Sequence, residues 1–537
     1  MENKLLPKVA YFCMEYGLDS NFKTYAGGLG ILAGDYIKGA KDDNLPITAI
    51  GIKWKQGYGD QFIDENGVPY DVYHNYDYDF LEDTGVKVSV TIRKEEVICK
   101  VWKVTNFNNA DLYLLDTDIP ENSDRFITGQ LYGWFGEERI AQEIVLGIGG
   151  IRALRALNIP IDVYHFNEGH AVLAATELIR EKILSGQSFK KAFKNTKKEV
   201  VFTTHTPIIH GNESHPIDKL KYMSAFNGLT KNEMIYIGGK PFNMTVAALR
   251  LSRKTNAVAQ LHTKTANTMW KDIKDKSEII GITNAIHVPT WVDKRLQDIS
   301  FPNKSLWDIH MELKRDLISF ILEKNGVNLE ENKLIIGFSR RAATYKRSNL
   351  IFSDPSIIGP LLEEGKIQII FSGKAHPFDT EGKEVITNLI SMVKKYPRSV
   401  VFLQNYDMTI GAKLTKGSDI WLNNPRRPLE ASGTSGMKAA MNGVLNCSIL
   451  DGWWPEACID GINGWQFADG FECANVEEFD KHDATALYDV LLNKVIPTYY
   501  HNKPKWIGMM QESILSTKDQ FSMHRMLGEY FELLYKK

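Results

Sequence analysis

Eight short apolar runs punctuate the chain, at 9–14, 47–52, 163–166, 200–204, 334–338, 367–371, 400–403 and 444–450, separated by stretches of helical periodicity. Continuous apolar runs of this length read as strands buried on both faces, and strands alternating with helices build parallel sheets. Four runs precede residue 210 and four follow residue 330. The stretch between them is charged, broken and helical in pattern, as in Lys271-Asp272-Ile273-Lys274-Asp275-Lys276. Two doubly wound α/β domains with a hinge near Thr283-Asn284-Ala285 account for this better than one sheet. The predicted boundaries are 1–284, 285–504 and a helical tail over 505–537. In the tail Met523, Met526, Leu527, Tyr530, Phe531 and Leu534 recur at spacings of three and four, and it is expected to pack across the domain junction.

At 537 residues the chain has room for two large domains. A hydrophobic share of 43% supplies their cores, which excludes a disordered or fibrous chain. The 64 basic and 66 acidic residues give a net charge of −2 and no field for a polyanion, so no nucleic-acid partner is expected. Five cysteines, none in a C-x-x-C pair, argue for free thiols in a reducing compartment. The N-terminus lacks the layout of a signal peptide, and the most apolar stretch, 144–161, is interrupted by Arg152 and Arg155. These features predict a soluble cytoplasmic protein with no membrane partner.

In a doubly wound fold ligands sit beyond the carboxyl ends of the strands, and the motifs fall there. Lys23-Thr24-Tyr25-Ala26-Gly27-Gly28-Leu29-Gly30 follows the first run and opens a helical pattern. Such a loop is either a tight turn or an anion cradle at a helix N-terminus, and it does not match the dinucleotide pattern. Ser339-Arg340-Arg341-Ala342-Ala343-Thr344-Tyr345-Lys346-Arg347 sets four cations in eight residues at a strand end. A charge run is often a solvated face, but this position favours an oxyanion site, with Arg341 as a guanidinium fork and Lys346 as a point charge.

Between Glu430 and Lys438 six small residues run into a short helix, gathering an acid, a row of N–H donors and an amine. A lone lysine is ordinarily solvated, but an amine beside a small-residue helix N-terminus suits a lysine-bound cofactor that carries a phosphate. Asn167-Glu168-Gly169-His170 and Thr204-His205-Thr206-Pro207 follow two strands of the first half, where each histidine is either structural or catalytic. The spacing of His205, His210 and His215 does not gather them on one helical face, and no metal is expected. Asp451-Gly452-Trp453-Trp454-Pro455-Glu456 follows the last run, and its aromatics are either core or a sugar platform.

Taken together, these residues resemble the α-glucan phosphorylases, the glycogen, starch and maltodextrin enzymes, from Tyr11 to about Trp465. The resemblance implies two facing Rossmann-like domains of the GT-B type with the active site in the cleft between them. It also implies pyridoxal 5′-phosphate held as an aldimine on Lys438, and reversible, retaining phosphorolysis of terminal α-1,4-glucosyl units of glycogen or maltodextrin to glucose 1-phosphate. The implied partners are an α-1,4-glucan or maltooligosaccharide and inorganic phosphate, and a homodimer is allowed. By motif, Gly27, Gly28 and Gly30 would close over phosphate, and Arg341 and Lys346 would bind it with Tyr345 touching the sugar. Glu430, Ser432 and Gly433 would hold sugar hydroxyls, while Thr434, Ser435, Gly436 and Arg340 would lie near the cofactor phosphate. His205 and Asn284 would contact the glucosyl ring, with Glu168 lining the cleft and His170 close by.

Three departures from the better-known relatives stand out: Arg340 replaces a lysine, Gly436 an asparagine, and the segment from Asp451 to Trp454 differs. The first run begins by Val9, so the long N-terminal regulatory segment of the animal relatives is not expected. The alternative enzyme reading is a nucleotide-sugar glucosyltransferase of the starch or glycogen synthase type, which needs no such lysine. A non-catalytic glycan-binding protein and a hydrolase using Glu168 or Glu430 are the remaining readings.

Overall fold

The computed structural model describes residues 6–297 and 303–536. The chain forms two compact units, one of Met1–Gly59, Tyr73–Thr283 and Met523–Lys537, the other of Asp60–Val72 and Asn284–Ser522. The units are interleaved along the chain and are not contiguous pieces of it. The chain changes unit between Thr283 and Asn284, and the expected tail is shared, 505–522 lying in the second unit and 523–537 in the first. The short hairpin of Asp60–Ile63 and Pro69–Val72 belongs to the second unit, where Gln61 exchanges hydrogen bonds with the backbone of Ala375 (3.1 and 2.9 Å).

The first unit is built on a nine-stranded sheet in the order Glu278–Gly281, Lys254–Ala257, Val200–Thr203, Val163–Asn167, Val9–Phe12, Ile47–Ile52, Leu112–Asp116, Glu95–Val104, Glu82–Ile92. The first seven are parallel, and the last two are added antiparallel. Val9–Phe12 lies at the centre, every residue of it buried, as its unbroken apolar run requires. The second unit has six parallel strands, in the order Val400–Leu403, Ile367–Ser372, Leu334–Ser339, Ile420–Asn423, Leu445–Ile449, Gly464–Phe467. Strand order reverses beside Val9–Phe12 in the first sheet and beside Leu334–Ser339 in the second. Those points direct attention to the residues that follow these strands and their neighbours.

All eight apolar runs are strands, with ends differing by at most two residues. The stretch read as only charged and helical also contains two strands, Lys254–Ala257 and Glu278–Gly281. Their signal is masked because the first is polar yet buried: Thr203 Oγ1 donates to Asn256 Oδ1 (2.6 Å), and Thr255 shares a 2.5 Å hydrogen bond with Ser277. The apolar stretch after Gln142 is a buried helix of the first unit, Glu137–Ile144 continuing through a π-helical Val145–Gly149 into Gly150–Ala156. Among the described residues no helix is long and apolar enough to cross a membrane.

The tail completes the first unit. Gly39, in the helix Gly28–Asp42, allows close packing of the tail, since a Cβ there would fall 2.4 Å from Met523 Cγ. Tyr535, fully buried, bonds His165 Nδ1 through its hydroxyl (2.7 Å) and meets the hydroxyl of Tyr36. His165 Nε2 is held by Thr203 Oγ1 (2.7 Å), and Lys254 Nζ donates to the carbonyl of Leu533 (2.7 Å). Burial lowers the pKa of His165 to about 3, so this latch is a neutral hydrogen-bond network. Tyr535→Phe is expected to lower stability by about 1–3 kcal/mol by orphaning His165, and Tyr535→Ala by about 3–5 kcal/mol through the added cavity. Denaturant midpoints of the first unit measure both.

Candidate active site

In the second unit three loops leave adjacent strand ends. Arg340 directly follows Leu334–Ser339, Glu430 lies in the loop after Ile420–Asn423, and Asp451 follows Leu445–Ile449. Arg340 places Nη2 2.7 Å from Glu430 Oε2 and donates through Nη1 to Asn423 Oδ1. Lys346 Nζ meets the same Glu430 oxygen. All three side chains are nearly buried. Burial pushes the Glu430 carboxyl up, but Arg340 and then Lys346 outweigh it and hold the pKa at about 2. Two cations on one carboxylate leave net positive charge, a setting that accepts a further anion such as phosphate.

Arg347 has a part that sequence reasoning did not assign. Its backbone is left-handed (φ 53°), and its buried guanidinium donates to the carbonyls of Asn424 (2.8 Å) and Pro425 (2.9 Å) and pairs with Asp483 (2.7 Å) and Asp480 (3.0 Å). It ties the loop carrying Lys346 to the loop carrying Glu430. The charge run therefore divides: Arg340 and Lys346 face Glu430, Arg347 is structural, Arg341 is exposed, and Tyr345 lies under Lys346 Nζ at 4.8 Å.

Lys438 is buried on the helix Thr434–Met441, with Nζ 3.3 Å from the centroid of the Trp291 ring. Asn442 fixes that pairing, donating to the carbonyls of Trp291 (3.0 Å) and Lys438 (2.8 Å) and accepting from the Asp293 amide (2.9 Å). Gly433 precedes the helix with φ 85°, a conformation that favours glycine. Ser435 Oγ accepts from Trp421 Nε1 (3.3 Å), and Ser432 Oγ is buried without a hydrogen-bond partner. A buried amine on an indole face, beside a small-residue turn with an orphaned hydroxyl, fits a flat phosphate-bearing cofactor. Asn284 is buried at the start of the second unit. Trp453 and Trp454 are core residues, about 1% exposed, so they provide no sugar platform.

In the first unit Glu168 ends the strand Val163–Asn167 in a left-handed conformation (φ 74°), strained for a side chain of this size. Its carboxylate accepts from the amides of Gly169 (3.0 Å) and His205 (2.8 Å) and from Thr206 Oγ1 (3.2 Å), while His205 Nε2 meets Asn167 Oδ1 (2.6 Å). The two predicted histidine segments are thus brought together by Glu168. Burial raises the pKa of Glu168 and lowers that of His205 to about 3. The glycine loop is organised by Glu15, which sequence reasoning missed: its carboxylate accepts from the amides of Ala26 (2.7 Å) and Gly27 (3.1 Å) and from Tyr132 Oη (2.9 Å). A Cβ on Gly30 would fall 2.6 Å from that carboxylate, whereas one on Gly27 or Gly28 would meet open space.

Beside this loop region lies a second polar cluster. His215 Nε2 is 3.0 Å from Glu143 Oε2, and His170 Nε2 and Arg139 Nη1 each lie 3.9 Å from Glu213 Oε2. Glu143, Glu213 and His215 alone among the described residues could converge on a metal ion, with ligand atoms within 4.8 Å. The guanidinium of Arg139 already supplies the positive charge there. Burial raises Glu143 to about 8 and Glu213 to about 7, and lowers His215, so Glu143 and His215 form a neutral pair at pH 7.

A family model described as carbohydrate phosphorylase matches residues 250–533. The chain is 40% identical to the maltodextrin phosphorylase of Thermococcus litoralis, over 98% of its own length and 70% of that protein. It is 34% identical to the glycogen phosphorylase of Aquifex aeolicus, over 98% and 86% of the respective chains. It is also 36% identical to an uncharacterised protein of Methanocaldococcus jannaschii, over 98% and 99%.

The buried groups of the first unit set its pH dependence. The raised carboxyls Glu143 and Glu213 contribute stability below about pH 4.5 that is lost as pH rises towards their folded values of about 8 and about 7. The lowered histidines His165, His170 and His205 contribute stability above pH 6.5 that is lost as pH falls towards their folded values of about 3. His215 and His262 act in the same sense as these histidines, and Glu168 and Glu138 in the same sense as the carboxyls; the histidines being the more numerous, stability of this unit is expected to peak near pH 6.5. Glu143→Gln should flatten the fall above that pH and leave the acid limb in place, as measured by unfolding at a series of pH values.

Proposed function

Because the chain belongs to the carbohydrate phosphorylase family, we propose that it transfers the terminal α-1,4-linked glucosyl unit of a glycogen- or maltodextrin-type glucan to inorganic phosphate, giving glucose 1-phosphate reversibly and with retention. The observation that carries this reading is the second unit's pairing of a buried lysine on an indole face with two cations gathered on Glu430. The first suits pyridoxal phosphate held by Lys438, and the second suits the substrate phosphate. The cofactor would supply a phosphate group that exchanges a proton with the substrate phosphate.

The chain's own residues carry the rest of the reading. Lys346 and Arg341 bind and orient the substrate phosphate, with Tyr345 against the sugar. Glu430, anionic down to about pH 2, accepts from sugar hydroxyls, and the Ser432 and Gly433 amides donate to them. Thr434, Ser435, Gly436 and Arg340 make the cradle for the cofactor phosphate. In the first unit, the reading gives Gly27, Gly28 and Gly30 to closure over phosphate and His205 to the glucosyl ring, held neutral by burial so that it hydrogen-bonds without adding charge. Asn284 joins it there, with Glu168 and His170 close by. Positive charge around the phosphate and anions around the glucosyl carbon stabilise charge developing in opposite senses at the two ends of the breaking bond.

A cytoplasmic setting belongs to the same proposal and is supported by five free cysteines, as does a homodimer. The nucleotide-sugar alternative is not favoured, since the named relatives above are phosphorylases. Lys438→Ala is expected to abolish retention of pyridoxal phosphate, read by absorbance before and after borohydride reduction, and glucose 1-phosphate formation with it. A cofactor-free variant that still forms glucose 1-phosphate would refute the proposal.

A further inference from the structure

The segment from Glu430 to Lys438 carries most of the groups just described, yet few of them fix its own backbone. What holds it is the turn after the strand Leu445–Ile449. Asp451, fully buried, accepts from the Glu430 amide through Oδ2 (2.9 Å) and from the Gly452 amide through Oδ1 (2.8 Å). The Trp453 amide donates to the carbonyl of Ser432 (2.9 Å). Gly452 sits at φ +59°, and a Cβ there would fall 2.2 Å from the same Ser432 carbonyl oxygen, so the approach requires glycine.

The indole of Trp453 reaches the other end of the segment. A Cβ on Gly436 would lie 2.8 Å from Trp453 Nε1 and 2.7 Å from Asn446 Oδ1. Asn446 Nδ2 in turn donates to the Gly436 carbonyl (3.0 Å). The absence of a side chain at 436 and the tryptophan at 453, which looked like separate departures in the sequence, are one packing solution. Behind the indole, Trp454 and Phe521 lie at ring-centroid distances of 5.2 and 4.9 Å, so it is backed by core and cannot swing away freely.

We propose that the Asp451-Gly452-Trp453 turn is the positioning clamp of the segment from Glu430 to Lys438, with Asp451 a positioning residue that acts through Glu430. The inference rests on the phosphorylase reading for its effect on turnover, but the clamp itself is a statement about this chain's backbone. Glu430 is drawn towards Arg340 and Lys346 on one side, and the hydrogen bond from its amide to Asp451 holds the backbone from which its carboxylate reaches them. A substrate-holding group displaced by about 1 Å can cost on the order of 100-fold in kcat/KM.

The test compares wild type with Asp451→Asn, which preserves shape and replaces one of the two accepting oxygens by an NH2 donor. Two readouts are used: hydrogen exchange of peptides covering 428–440, and steady-state kinetics with glucose 1-phosphate and a maltooligosaccharide. The expected result is faster exchange confined to that segment, a cooperative unfolding transition with its midpoint only modestly lowered, and a fall in kcat/KM of about 10- to 100-fold, carried mainly by KM. Unchanged exchange in the segment overturns the clamp, and so does unchanged kcat/KM in an enzyme whose wild type is active. Faster exchange throughout the second unit overturns it as well, because Asp451 would then be a general stability residue. If Asp451→Asn does not fold, Trp453→Phe keeps the backbone bond to Ser432 but withdraws the indole edge from Gly436. Selective loosening at 434–438 then supports the clamp, and its absence overturns it. A wild type that forms no glucose 1-phosphate would defeat the phosphorylase reading, while the exchange result would still decide the clamp.

Discussion

In a parallel sheet all strands end on the same edge, and this constraint decides where chemistry can be placed in this protein. In each unit the strand order reverses beside a central strand, and the residues that leave the sheet at that reversal are polar, mostly buried and close together. Glu15, Glu168 and His205 leave the first sheet in this way, and Arg340, Glu430 and Asp451 leave the second. None of these groups could be buried at a strand centre without interrupting the apolar runs that make the sheets.

The second unit shows how two neighbouring carboxyls are driven apart in proton affinity. Glu430 and Asp451 lie on loops joined by backbone hydrogen bonds, one of them from the Glu430 amide to the Asp451 carboxyl, and both side chains are removed from water. Glu430 is held at about 2 because Arg340 and Lys346 share its oxygen. For Asp451 burial dominates, the Glu430 and Gly452 amides only partly offset it, and the charge of Glu430 adds to the rise, giving about 7. A buried ion cluster of this kind is weak as a source of stability but strongly directional, because removing Glu430 would leave two buried cations without their shared carboxylate. The geometry of the three groups is therefore more constrained than their burial alone would require.

Strands made of continuous apolar residues were legible in the sequence because nothing competes with that reading. Lys254–Ala257 was not, because its buried Thr255 and Asn256 are satisfied by side chains from Ser277, Thr203 and Tyr530 that only the fold brings near. The antiparallel pair Glu82–Ile92 and Glu95–Val104 was missed for another reason: one face is exposed, so its alternation is dilute. Lys438 and the cationic run were visible because composition at a strand end is local information. Glu15 and Arg347 were not, since what distinguishes them is the backbone groups they hold, and those come from loops 11 to 78 residues away. Asp451 was singled out in the company of tryptophans read for their aromatic faces, whereas it is its carboxyl, with the edge of the Trp453 indole behind Gly436, that bears on the site.

The burial of Tyr535 in the first unit has a consequence for how the chain is made. The sheet around Val9–Phe12 is synthesised early, but the hydroxyl that satisfies His165 is delivered only by residues beyond Met523. A nascent chain emerging from the ribosome therefore carries an N-terminal unit that lacks its last packing layer while the whole second unit is being translated. The hairpin of Asp60–Val72 waits in the opposite sense, exported long before its partners at Ala375 and Lys383 exist. The first unit to be started is the last to be closed, and no contiguous fragment of the gene encodes either unit by itself.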